Sequence, residues 1–329
     1  MKAITPVIAL VMLMLITVGI VGAASVWFSG LFSSSTSKAI SIPPGGALCS
    51  NGEIKVFVLN NGDKTLTGSD ILIAQIDGND VSNSPFFGDM SSGLVGYWKF
   101  DEGSGAVAKD YSVSANDASL KPLCPDCPAW AMGKSGNALD FDGSNDYLSA
   151  SQVSPAKITV MSWVNFDTLS GYQEIVAQKG TPAEGAYFLR KDSPVEGNKI
   201  SFFVYDGAVV EPRVYSATIP VTGTWYHLTA LYDGAYIKLY INGKLEGTVA
   251  RPAINYGPGG SLIIGSSGNL VNRMGGLLDE IKVYNKNVGD INVQPGKSGM
   301  IINYPGATGK HTIKIATSSS TAETAVICA

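Results

Sequence analysis

The 329-residue chain predicts a mainly β fold preceded by one long hydrophobic α-helix. Three observations predict it. Charged residues are only 15% of the chain, against about 25% in ordinary soluble domains, and glycine is abundant at 38 residues. Short runs rich in Val, Ile, Thr and Tyr alternate with Asn-Gly and Asp-Gly turns along most of the sequence. The first stretch differs: from Ala3 to Phe28 there is no charged side chain.

Composition excludes several functions. A net charge of −4 supplies no basic field, so no nucleic-acid partner is expected. Two histidines leave little room for a His-rich metal site or His-based catalysis. Four cysteines behind an export-type N-terminus suggest disulfides.

Residues 3–28 make a helix of roughly 39 Å, longer than the ~30 Å hydrocarbon core of a bilayer. A cleavable signal peptide accounts for this stretch, with Lys2 as its basic end and Gly22 and Ala24 near its cleavage site. So does a single-span membrane anchor. A third reading comes from the leader itself. Lys2-Ala3-Ile4-Thr5-Pro6-Val7-Ile8-Ala9 resembles the prepilin leader of archaeal type IV pilins and archaellins. The resemblance implies that a prepilin peptidase cuts between Lys2 and Ala3. Residues 1–2 are then the leader, and 3–32 a retained assembly and transmembrane helix. That helix sits in the membrane before assembly and afterwards packs with copies of itself or with co-pilins. Pro6 falls in the first turn, where a missing N–H is harmless, and Gly19, Gly22, Ala23 and Ala24 permit close helix approach. The Ser-rich residues 33–38 read as a hinge.

Residues 39–92 and 291–329 are strand-rich flanks. Glu53–Leu59 is a strand followed by the Asn60-Asn61-Gly62-Asp63 turn, and Asp70–Ile76 is another. His311–Ala316 and Ala325–Cys328 supply strands on the far side. Neither flank buries much core alone; together they make one small β-sandwich. Archaeal pilins are similar in layout, and that resemblance implies a Cys49–Cys328 disulfide tying its first strand to its last.

Residues 93–290 form a second domain, inserted into the first. Gly93–Gly105, with Tyr97-Trp98-Lys99-Phe100-Asp101, resembles the opening of a laminin-G-like, concanavalin-like jelly roll, as does Gly133–Tyr147. Ile158–Val164, Gly223–Ala230, Ile237–Lys244, Leu262–Gly265 and Gly276–Tyr284 follow in family order. The resemblance implies two packed antiparallel sheets whose first and last strands are neighbours, so that the domain fits into a loop. The predicted fold is therefore a long N-terminal helix and a small pilin-type β-sandwich interrupted by a concanavalin-like jelly roll.

Catalytic signals are missing. Glycosidases need two carboxylates flanking one bond. The nearest acidic pair, Asp279-Glu280, is adjacent on a strand, and alternation sends such residues to opposite faces. Tyr97, Trp98, Trp163, Trp225 and Tyr226 lie in apolar strands and read as core. No enzyme activity is expected. Family resemblance implies one structural Ca²⁺, with Asp279 as first candidate ligand and Asp101 and Asp110 as weaker ones. Cys124-Pro125-Asp126-Cys127 suits half of a zinc site, a redox pair or a local disulfide. With no second CxxC or nearby histidine, the local Cys124–Cys127 disulfide is favoured.

The expected function is that of an adhesive pilin: a subunit of an extracellular, cell-surface type IV pilus-like filament displaying a lectin-like domain to glycan or cell-surface ligands. Alternatives are a monomeric membrane-anchored binding protein and, less favoured, a polysaccharide-degrading enzyme.

Overall fold

The computed structural model describes residues 38–328 apart from 51–52, 82–87, 89–91, 179–185, 209–210, 258, 268, 290 and 305–306. The described chain is strand and turn, with two single-turn 3₁₀ segments, Gly68–Asp70 and Pro194–Glu196, and no α-helix. This corrects the expected fold class, which is mainly β with a concanavalin-like domain. The assembly helix at 3–32 and the Lys2–Ala3 cleavage site lie outside the described residues. No helix among the described residues is long and apolar enough to cross a membrane. The membrane-embedded and filament localisation built on that helix is therefore withdrawn.

Two hydrophobic cores organise the chain. The smaller is built from both flanks: Ile54, Val56, Val58, Ala74 and Ile76 pack with Ile301, Ile302, Ile313, Ile315 and Val326. Alternation explains it, since every second residue of Glu53–Asn60 is buried. That strand pairs antiparallel with Ser298–Tyr304, and Ile73–Ile76 pairs with Gly309–Ala316. Each half therefore supplies strands that the other half completes. A disulfide joins Cys49 to Cys328.

The larger core lies between two eight-stranded sheets. The first sheet runs Ala129–Met132, Asn137–Asp142, Gly275–Tyr284, Ile158–Phe166, Trp225–Tyr232, Tyr236–Ile241, Lys244–Ala250, with Leu94–Trp98 also paired to Gly275–Tyr284. The second runs Val214–Tyr215, Ile200–Val204, Tyr187–Lys191, Gln173–Gln178, Ser261–Ile264, Tyr147–Ser151, Ala118–Lys121, Val107–Ala108. Trp98, Phe100, Phe141, Phe166 and Phe202 fill the space between them. Leu94 stands opposite Tyr284, and Asn285 N–H donates to the Gly93 carbonyl at 2.8 Å. The strands that enter and leave this domain are thus neighbours.

The two units meet on the outer face of the first sheet. Met161, Tyr284 and Val288 form a small apolar cluster there, with Leu94 and Met300 against it.

Candidate functional site

The acidic pair on Gly275–Tyr284 does not alternate as an ideal strand would. Trp163 faces Asp279 and Met161 faces Lys282, so Ser162 alone opposes both Glu280 and Ile281. This is a β-bulge. Glu280 takes the left-handed conformation, φ 53°, that the extra residue requires. Leu278 and Ile281 point into the core. Asp279, Glu280 and Lys282 consequently share the outer face, correcting the expectation that the two carboxylates point apart.

Sharing a face does not make them a catalytic pair. Glu280 accepts the Tyr97 hydroxyl at 2.6 Å and lies 3.2 Å from Lys282 Nζ. Asp279 is fully buried, and its Oδ2 accepts the Lys134 and Ser135 N–H groups at 2.8 and 2.9 Å. Its Oδ1 has no hydrogen-bond partner. Burial, aided by the Glu280 charge, pushes its pKa up to about 7 against the pull of the Ser135 and Lys134 N–H groups.

The three expected calcium ligands are engaged separately. Asp110 accepts the N–H groups of Tyr97, Ser112 and Asn116 and the Ser112 hydroxyl, each at 2.8 Å. Asp101 accepts the Asn137 N–H at 3.0 Å. N–H donors aimed at these carboxylates are the opposite of the oxygen cage that a hard cation takes. Among the described residues, no group of three His, Cys, Asp or Glu could hold a metal. Cys124 and Cys127 are joined in a local disulfide.

Aromatic placement also departs from expectation. Trp98 and Tyr226 are core. Trp163, Trp225 and Tyr97 are only partly buried. Their neighbours in sequence, Val164 and Tyr226, point inward, so Trp163 and Trp225 point outward.

The outer face of the second sheet carries a charge network absent from the expected site residues. Arg190 Nε donates to Asp192 Oδ1 at 2.7 Å, and its Nη1 lies 3.6 Å from Glu174 Oε1. Ser201 Oγ donates to the same Asp192 oxygen at 3.0 Å, and Arg213 Nη1 stands 3.7 Å away. The Arg190 guanidinium lies 4.5 Å from both the Tyr172 and Phe188 ring centroids. Burial pushes the Glu174 pKa up to about 8 despite Arg190, and it raises Asp192 as well. No spacing in the sequence announces this set. It is assembled by pairing Gln173–Gln178 with Tyr187–Lys191, which puts Glu174 opposite Arg190.

An open cleft of about 640 Å³ lies where the two sheets meet at one end of the sandwich. Ser114, Ala115, Asn116 and Asp117 form one wall, and Ser151 to Pro155 form another. Val95 and Asn285, beside the connections to the small unit, complete it. Asn116 holds the walls in register: its Nδ2 donates to Ser151 O at 2.9 Å and its Oδ1 accepts Ser151 N–H at 2.8 Å. The lining is short hydroxyl and amide side chains among small apolar ones, and Asp117 is its one ionisable group. That mixture suits an uncharged ligand with hydroxyl groups and an apolar face.

A laminin-G model described as the concanavalin A-like lectin/glucanases superfamily matches residues 142–294, and a domain of that superfamily is present there. The match lies in the inserted domain and lends nothing to the pilin and archaellin reading. No curated protein matches the chain. Among solved structures, domain 4 of the GH43 extracellular arabinanase AbnA of Geobacillus stearothermophilus, in complex with arabinotriose, is similar at 19% identity. The likeness covers 61% of this chain and 94% of that domain, with a TM-score of 0.47. The botulinum neurotoxin serotype G binding domain is similar at 12% identity over 59% of this chain and 48% of that one, TM-score 0.44. Trypanosoma rangeli sialidase is similar at 16% over 59% of this chain and 31% of that one, TM-score 0.44. The chain thus spans under half of the neurotoxin domain and under a third of the sialidase. At these scores the likenesses carry no argument about activity.

Proposed function

We propose that the inserted domain is a saccharide-binding module, presented by the small split sandwich and acting by binding rather than turnover. The observation that carries this is the cleft: about 640 Å³, within the range of small-molecule sites, and walled by Ser, Asn and Gln side chains beside Val95, Val153 and Pro155. Hydroxyl and amide groups pair with sugar hydroxyls, and the aliphatic side chains meet the ring C–H surface. A glycan panel tests it, using the full chain against Ser154→Trp and Gln152→Ala. Ser154 is exposed, so the indole fills the cleft without entering the core. Loss of binding in Ser154→Trp supports the cleft as the site. A binding profile unchanged in both variants removes it.

One observation favours a second reading, glycoside cleavage. Glu174 and Asp192 share Arg190, and burial raises both, Glu174 to about 8, as a carboxyl that must hold a proton for general-acid work requires. Against it, one guanidinium holds both groups. Release of reducing ends from any glycan bound, abolished in Glu174→Gln, decides for the enzyme.

A further inference from the structure

The four cysteines make two disulfides whose surroundings differ. Cys328 is 4% exposed and belongs to the core of the small sandwich, with Cys49 packed against it. Both lie on strands, Ala47–Ser50 and Thr321–Cys328. Cys124 and Cys127 lie instead in the connection that leaves Ala118–Lys121 of the second sheet and enters Ala129–Met132 of the first. No residue from Pro122 to Pro128 takes part in a strand pairing. Within this connection the two cysteines are unlike. Cys124 is exposed, as are Leu123, Pro125 and Asp126. Cys127 is partly buried and packs against the core of the inserted domain, as Trp130 does.

We propose that Cys124–Cys127 is a thiol–disulfide exchange site, opened by an external thiolate that attacks Cys124. The rate of exchange depends on access to the sulfur that is attacked. Exposure puts Cys124 within reach, and packing against the core shields Cys127. The attacking thiol comes from another molecule, because all four cysteines of the chain are bridged. Its sulfur forms a new S–S bond with Cys124 Sγ. The Cys124–Cys127 bond breaks, and Cys127 Sγ leaves as a thiolate that takes up the proton the attacking thiol gave up. Two outcomes follow. A second thiol can attack the mixed disulfide, which reduces Cys124 and joins the two external thiols in a disulfide. Otherwise Cys127 attacks Cys124 Sγ, which restores the bridge and releases the external thiol. A separation of three residues keeps Cys127 at a high effective concentration for that step. Opening costs the fold little, since so short a loop restricts little of the unfolded chain and no sheet pairing runs through it. Cys49–Cys328, with a separation of 279, differs on both counts.

Graded reduced glutathione tests the site in the full chain, with a single-cysteine peptide run in parallel to represent a protein thiol. Free thiols are trapped with iodoacetamide and mapped by mass spectrometry, while circular dichroism follows the fold. The Cys124–Cys127 pair is expected to open at a thiol concentration about tenfold below that needed for Cys49–Cys328, with the fold retained. Cys127→Ser removes the resolving thiol. It is expected to take glutathione from glutathione disulfide onto Cys124 about tenfold faster than Cys124→Ser takes it onto Cys127. Capture of either probe on Cys124 supports the exchange site, glutathione alone naming a small thiol and the peptide a protein thiol. Opening of both disulfides together, or of neither before the protein unfolds, overturns the proposal. So does equal labelling of the two cysteine variants.

Discussion

Lys282 of the inserted domain lies 2.7 Å from Glu53 of the small sandwich, so one ion pair spans the two units. The pair is almost dry. Lys282 also faces Glu280 at 3.2 Å, and its ammonium lies 4.8 Å from the Tyr97 ring centroid. Burial alone works against both charges. The Lys282 ammonium nonetheless holds the Glu53 carboxyl below its ordinary value, and Glu53, Tyr97 and Glu280 raise Lys282.

Breaking such a pair from one side strands a buried charge. Lys282→Met should destabilise the protein by about 3–5 kcal/mol, because it takes the nearest cation from two buried carboxylates and leaves Glu53 only Lys55, 3.3 Å away. Glu53→Gln should cost less, since Glu280 still partners Lys282. The double variant Glu53→Gln/Lys282→Met should recover much of the loss. Calorimetric melting of the four proteins checks the ordering, and additive losses in the double variant contradict it.

Two buried groups should give stability a pH dependence of opposite sign. Burial, helped by the nearby Lys282 charge, holds His227 down to about 3, against an ordinary value near 6.5. Its contribution is present above pH 6.5 and is lost as pH falls toward 3. Glu174 has the opposite sign: raised to about 8, it favours the fold below its unfolded value near 4.5 and loses that contribution as pH climbs through 8. Melting temperatures from pH 3 to 9 should show His227→Gln flattening the fall from pH 6.5 to 3 and Glu174→Gln flattening the fall from pH 4.5 to 8. Parallel profiles in all three proteins count against both assignments.

The two disulfides should differ greatly in worth. Cys49 and Cys328 are 279 residues apart, and in the chain-entropy model so long a loop gives about 5 kcal/mol. Cys124 and Cys127 are three apart and restrict little of the unfolded chain. Cys49→Ser/Cys328→Ser should lower the small unit's melting by many degrees and leave the inserted domain's transition nearly in place. Cys124→Ser/Cys127→Ser should shift neither by more than a few degrees. A calorimetric trace with separable transitions reads both effects.

The β class was legible because alternation is local. Glu53–Asn60 buries Ile54, Val56 and Val58 on one side, as its sequence pattern says. The jelly roll was legible because its motifs occur in order. Position 280 was not. A glutamate gives no local sign of a left-handed backbone, so the bulge that turns Asp279 and Glu280 to one face appears only when Ser162 is seen opposite two residues. Trp163 and Trp225 misled for a related reason. Strands that alternate apolar with apolar carry no sidedness, and the small unit's partial cover decides which large residues stay wet. The Glu174–Arg190–Asp192 network needs strand partners distant in sequence, and no spacing rule brings them together. The N-terminal helix, read from hydropathy and from the leader motif, lies outside the described residues.

Cys49 and Cys328 turn most of the protein into a covalent ring that contains the whole inserted domain. A single nick anywhere inside that ring opens it without shedding a fragment. A loop of the inserted domain can therefore be cut while the piece bearing Cys328 stays tethered to the piece bearing Cys49. Loss of the lectin-like domain from this molecule takes two cuts, or one cut and a reductant.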